Sequence, residues 1–290
     1  MGTSTAFGGQ PGSTPLVPSW VDDSPAGGAS TPPTGRSDGE AQSSPGGNTP
    51  VLPAIPAIAD PSRFSSARNN FSRFVGSGGG DRRSLGRAVS QYVSSSTGGS
   101  RTAAARMGSS RASGGRLLGF LSDAATRGAV EALRSLDLEA LAGRPIEEVF
   151  LGLVEYICPD GGSIDEGIAR EAFIETITDL VDAGITDINA ITVDQVQMVF
   201  ELYATNAIEA RLCNDIGART ITLPRDAREA ARIQEQLHDF IQRGVADALS
   251  AAQAAMATLR PDTILRFVDD IYEQAFSIMK IMGDAEADGV

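Results

Sequence analysis

Past residue 116 the apolar residues recur every three or four positions, the spacing of one helical face. Leu118, Leu121, Ala125, Ala129, Ala132 and Leu136 form one such stripe. Pro145 suits a first helical position; Ile146, Val149, Phe150, Leu153 and Ile157 follow until Pro159 stops the run. Ser163-Ile164-Asp165-Glu166 has the capping-box pattern, in which a Ser hydroxyl and a Glu three residues on satisfy each other's free amides. It opens a predicted helix through Ile168, Phe173, Ile177 and Val181 to Gly184. Thr192-Val193-Asp194-Gln195 repeats the device ahead of Val196, Val199, Phe200, Tyr203, Ala207 and Ala210. Arg219–Leu223 reads as a short extended piece before Pro224, and a long helix follows through Ile233, Leu237, Ile241, Val245, Leu249 and Met256. Beyond Pro261 the apolar positions 264, 268, 271, 275, 278 and 282 alternate steps of four and three, a stripe suited to packing on another helix. The expectation is all-α: residues 117–283 form one bundle-like domain of five or six helices, and 284–290 trail as an acidic, solvated end.

Residues 63–116 repeat the helical pattern in shorter pieces. Phe64, Ala67, Phe71 and Phe74 share one face, and Leu85, Ala88, Val89, Tyr92 and Val93 share another. Gly76–Gly80, Thr97–Ser100 and Ser109–Gly115 read as interruptions. Helices this short do not hold alone in water and need a surface to lie on. Residues 1–62 show no such period. Gly, Pro, Ser and Thr dominate them, and so little apolar surface cannot offset the entropy of ordering, which predicts a disordered tail. Two apolar islands interrupt the tail. Pro15–Val21 holds the only Trp, Trp20, whose ring is costly to leave in water and favours docking. Val51-Leu52-Pro53-Ala54-Ile55-Pro56-Ala57-Ile58 suits either a polyproline-like docking strand or plain linker.

Charge divides the chain at the same boundaries. Residues 1–62 carry a net −4, residues 63–116 a net +9 from ten Arg, and residues 117–290 a net −18. The Arg strip, including Arg63, Arg68, Arg73, Arg82, Arg83 and Arg87, has two readings. Interleaved with Phe and Tyr it could track nucleic-acid phosphates or an acidic surface. Alternatively it folds back on the acidic helices, which are tethered to it at high effective concentration. The second is favoured.

Candidate chemistry is sparse. His238 is the only His, and no motif sets a nucleophile beside it. Cys158 and Cys213 lack metal-ligand spacing and read as reduced, buried thiols. The run Gly76–Gly80 follows no strand and is followed by no Lys, so it is a hinge rather than a phosphate loop. No stretch approaches the ~20 apolar residues of a membrane span, and no secretory signal is visible. The residues by themselves read as a helical, partner-binding, non-enzymatic protein of the cytoplasm, with no resident cofactor.

The first twenty residues are the least generic. Met1-Gly2-Thr3-Ser4, Phe7-Gly8-Gly9, Pro11-Gly12 and Thr14-Pro15-Leu16-Val17-Pro18-Ser19-Trp20 resemble the opening of QatB proteins of bacterial Qat anti-phage systems. Such systems combine an ATPase, QatB, a QueC-like enzyme and a TatD-like nuclease. The resemblance implies that a QueC-like enzyme, which uses ATP to join the carboxylate of a 7-deazaguanine to a nitrogen, takes the Gly2 amine as that nitrogen. It also implies that Phe7, Gly8, Gly9, Pro15, Leu16, Val17, Pro18 and Trp20 dock the tail on that partner, with the ATPase and the nuclease as further contacts. An assembly adaptor whose Arg strip holds nucleic acid or the ATPase is the alternative.

Overall fold

The computed structural model describes residues 62–159, 161–217, 224 and 226–289. The predicted tail, Gly2, the docking positions 7–20, the island 51–58 and the extended piece Arg219–Leu223 lie outside the described residues. Within them helix is the only regular structure. Eleven α-helices follow in order: α1 (Ser65–Gly76), α2 (Arg82–Gln91), α3 (Ser100–Ala105), α4 (Gly108–Arg127), α5 (Ala129–Arg134), α6 (Ile146–Ile157), α7 (Ile164–Asp182), α8 (Val193–Ile216), α9 (Ala227–Ala251), α10 (Gln253–Ala257) and α11 (Ile264–Asp288). A π-helical turn, Tyr92–Ser96, follows α2 directly.

The helix starts are those the sequence marks. Ser163 and Thr192 make both hydrogen bonds of their capping boxes at α7 and α8. Pro145, expected at the first helical position, stands one residue earlier at the N-cap of α6, and Asp81, which the sequence reading did not single out, accepts from the Ser84 amide at 3.1 Å to start α2. The predicted faces are the buried ones: Phe64, Ala67, Phe71 and Phe74, then Leu85, Ala88, Val89, Tyr92 and Val93, are all buried.

A single core runs from Phe64 to Met279. α8 and α11 are its two axes. α7, α9 and α4 pack on α8, while α2, α9, α3 and α4 pack on α11. The aromatic rings of Phe200 and Tyr203 on α8 and of Tyr272 and Phe276 on α11 are all fully buried in this core. The short basic helices therefore find the surface they need, and α4 runs unbroken across the boundary between the basic strip and the acidic helices.

Four local expectations change. Ser109–Gly115, read as an interruption, is the first half of α4. Its small residues are what the packing requires: a Cβ at Gly114 would meet Tyr203 Cε1 at 3.2 Å and Phe200 Cε2 at 3.3 Å, so Gly lets α4 approach α8 closely. The acidic end, exposed at Asp284, Ala285 and Asp288, continues as helix through Asp288, where Ser90 Oγ of α2 donates to Asp284. The long helix after Pro224 breaks at Ala252, and seven helices rather than five or six begin beyond residue 117 among the described residues.

The α2–α11 crossing is equally tight. A Cβ at Gly86 would lie 2.7 Å from the Gly283 carbonyl oxygen, a backbone atom that cannot swing aside. Gly86→Ala should therefore destabilise: overpacking costs ~1–3 kcal/mol, more than the ~1 kcal/mol by which a helix prefers Ala. Gly167 on α7 has open space at its Cβ position. Gly167→Ala should stabilise by ~0.5–1 kcal/mol. Urea midpoints of the two variants, moving in opposite directions, check the assignment.

Candidate functional site at the root of the N-terminal segment

The first described residues enter the bundle at a cluster of charges. Phe64, one residue before α1, stacks on Tyr92 with ring centroids 5.8 Å apart. The Arg63 guanidinium lies 4.8 Å, and that of Arg106 5.5 Å, from the Phe64 ring centroid. The π-helical turn points Tyr92 inward, where its hydroxyl donates to Asp215 Oδ2 at 3.0 Å. Burial and the Asp215 charge push that phenol well above its ordinary pKa, so it stays a donor.

Asp215, in the last turn of α8, also accepts from Arg106 Nη2 at 2.8 Å. One helical turn back, Arg211 reaches Asp165 at 2.9 Å, lies 3.9 Å from Asp215, and donates to the Arg106 carbonyl. The side chains are nearly dry: Arg106 8 %, Asp215 6 %, Arg211 2 % and Asp165 1 % exposed. Charges out of water persist only when paired and hydrogen-bonded. This network ties the α3–α4 turn, the first turn of α7 and the end of α8 to the point where the N-terminal segment departs.

Of the six Arg residues singled out in the strip, Arg68, Arg83 and Arg87 meet helix ends. Arg68 Nε donates to the Ile216 carbonyl at 2.6 Å, capping α8, close to where Arg63 sits on Phe64. Arg87 Nη2 donates to the Ala287 carbonyl at 3.4 Å and Arg83 lies against Gly289, both at the carbonyl end of α11. A cation there offsets the helix dipole. Arg82 lines a polar pocket of about 310 Å³ with Asp239, Arg243 and Glu286, and Arg73 is exposed on α1. Further along, Arg101 pairs with Glu273, Arg111 with Asp269, and Arg116 donates to the Ile157 carbonyl.

His238 and Cys213 line one cleft between α7, α8 and α9. His238 Nδ1 lies 2.9 Å from Glu209 Oε2, and this hydrogen bond, with the charges of Glu209, Asp179 and Asp239, raises the imidazole pKa. Burial pushes the Cys213 thiol up to about 12, which keeps it protonated. Burial also raises Cys158, whose thiol donates to the Ala169 carbonyl at 3.4 Å. Among the described residues no group of three or more His, Cys, Asp or Glu is placed to hold a metal ion, and no helix is long and apolar enough to cross a membrane.

The buried network went unread in the sequence. Its members are separated by up to 109 residues. The one local signal is Arg211, a charge on the face of α8 that Phe200, Ala204 and Ala207 bury.

These features define the class: an all-α bundle with a basic helical arm bound to its acidic helices and a buried ionic anchor at the root of a long N-terminal segment. The family model described as "Qat anti-phage system associated protein QatB" matches residues 98–279, and the chain belongs to the QatB family. It is thus a component of a Qat anti-phage system. The match takes in all four residues of the ionic network and begins after α2. No curated protein and no solved structure matches the chain.

Two outcomes are expected. Asp215→Ala leaves Arg106 buried without its carboxylate and should cost ~3–5 kcal/mol, whereas the double variant Arg106→Met/Asp215→Leu should regain most of that. A urea double-mutant cycle measures both. His238 has a raised folded-state pKa, so its pairing with Glu209 stabilises fully below the unfolded value of ~6.5 and fades as pH rises through the folded value. The stability advantage of the native chain over His238→Gln should therefore be largest at acid pH and shrink towards alkaline pH. A difference that stays flat from ~pH 5 to ~pH 9 contradicts this.

Proposed function

We propose that this QatB-family chain is a non-catalytic, cytoplasmic component of the defence complex that binds the system's QueC-like enzyme and presents Gly2 for conjugation to a 7-deazaguanine. Family membership is the observation that carries the reading. The N-terminal chemistry supports it. With Met1 removed, the Gly2 α-amine has an ordinary pKa of ~7.7–8.0, so a useful fraction is an unprotonated nucleophile near neutrality. Lacking a side chain, Gly enters a narrow pocket. In the reaction, ATP activates the carboxylate of the 7-deazaguanine. The Gly2 nitrogen then attacks the carboxyl carbon, an amide C–N bond forms, the activated oxygen leaves with the ATP-derived group, and the amine loses one proton.

The geometry of the root supports the division of labour. From Gly2 to Ser62 the chain can span at most ~3.6 Å per residue, a ceiling of ~220 Å, ample to reach another protein's active site. Phe7, Gly8, Gly9 and Pro15–Trp20 supply the docking contacts close to the amine, while Phe64, Tyr92 and Arg106 hold the far end. The engagement of Arg63, Arg68, Arg83 and Arg87 within this chain supports the reading in which the basic strip serves its own acidic helices. The adaptor reading, in which the strip holds nucleic acid, rests on the exposed Arg73 and Arg82.

Intact-mass measurement of the full chain co-expressed with the QueC-like enzyme tests the proposal. The N-terminal peptide should gain the mass of the carboxy-deazaguanine less one water, and Gly2→Pro should abolish the gain. An unshifted peptide, or a shift surviving Gly2→Pro, would falsify it. A DNA or RNA mobility shift lost between ~50 and ~200 mM salt would instead favour the adaptor reading.

A further inference from the structure

An open trough of about 680 Å³ lies between α1, α8 and α9, with Phe71, Ala230, Ile233 and Leu237 among its apolar lining. It shares Glu171, Glu209, Cys213 and Gln234 with the His238 cleft, of about 300 Å³, so the two form one groove along α8. Along α9 the groove extends from Ala227 to His238, eleven residues or ~16 Å, three turns of helix. α7 and α9 both pack along α8 and form its walls.

The rim has one sign. Glu171 and Glu175 stand exposed on α7, one turn apart, with Asp179 a turn further on and Glu209 opposite. Among the described lining residues there is no Arg or Lys. Asp179 accepts from Asn206 at 2.7 Å and Glu209 is held by His238. The salt bridges within the described chain include none to Glu171 or Glu175.

An apolar floor of Ala, Ile and Leu side chains between helical walls fits an amphipathic helix, and an acidic rim selects one flanked by Arg or Lys. Residues 1–61 carry five acids and a single Arg, which makes this chain's own N-terminal segment a poor electrostatic match. A second copy docked groove to groove would bring like-charged rims together. We infer that this groove binds a basic amphipathic helix of another protein of the defence complex, with Glu171 and Glu175 as its electrostatic selectors. Taking the QueC-like enzyme as that protein rests on the reading above.

The test uses the full-length chain and the purified QueC-like enzyme, ATPase and TatD-like nuclease in separate titrations. Glu171→Lys/Glu175→Lys alters two exposed residues and should leave the helical circular dichroism unchanged. It should weaken binding of the QueC-like enzyme at least tenfold. The control Glu139→Lys/Asp270→Lys, with the same change in net charge at exposed sites elsewhere, should not. Binding should also slow amide exchange over residues 206–213 and 227–238. If the ATPase or nuclease alone shows this dependence, the groove stands and the choice of partner falls. If the QueC-like enzyme binds the groove variant and the control equally, the groove proposal falls while that partner stands; binding of no component also overturns it. Protection already present in the free chain and released by Leu52→Asp or Trp20→Ala would assign the groove to the chain's own N-terminal segment and likewise overturn the proposal.

Discussion

Four charges without water, Arg106, Asp215, Arg211 and Asp165, constrain the rest of the molecule. Each carries a large desolvation cost that only its partners offset. No member can move while the others stay. Because they come from the α3–α4 turn, the end of α8 and the start of α7, three distant parts of the chain are held in one register. Hydrophobic burial supplies most of the stability of such a bundle, but it is non-directional and tolerates sliding. The ionic network adds the directionality that places Phe64, and with it the departure of the N-terminal segment, at one spot on the body.

Much of the architecture was legible in the sequence because one physical rule generates it. A helix that buries one face must repeat apolar residues at its own period, so the stripes in α1, α2, α6, α7, α8, α9 and α11 could be read directly. Capping boxes mark helix starts with similar economy, since the free amides of a first turn need local acceptors. The first half of α4 broke the rule. Its Gly and Ser have poor helical preference, and side chains across the interfaces, Phe200 and Tyr203 against Gly114 and Leu265 against Gly115, explain why nothing larger fits. Pairings across 100 residues or more, such as Arg106 with Asp215, leave no local trace.

The functional reading has the opposite history. The N-terminal residues that carry the family resemblance follow no helical period, so periodicity could not interpret them. The family match begins at Gly98 and rests on the bundle instead. Two separate portions of the chain thus point to the same family. The basic arm, residues 63–116, which the match enters at Gly98, is joined to the bundle by a shared apolar core and by arginines at the carbonyl ends of α8 and α11.

That α2 lies against the end of α11 has a bearing on synthesis. Arg87 and the carbonyl it meets at Ala287 are 200 residues apart. A ribosome making ~5–20 residues per second needs ~10–40 s between them, and through that interval α2 lacks its seat. Processing enzymes that act on nascent chains would meet the leading residues well before the body closes. The order of events is built into the topology: α2 is made early, and α11, on which it packs, is completed last.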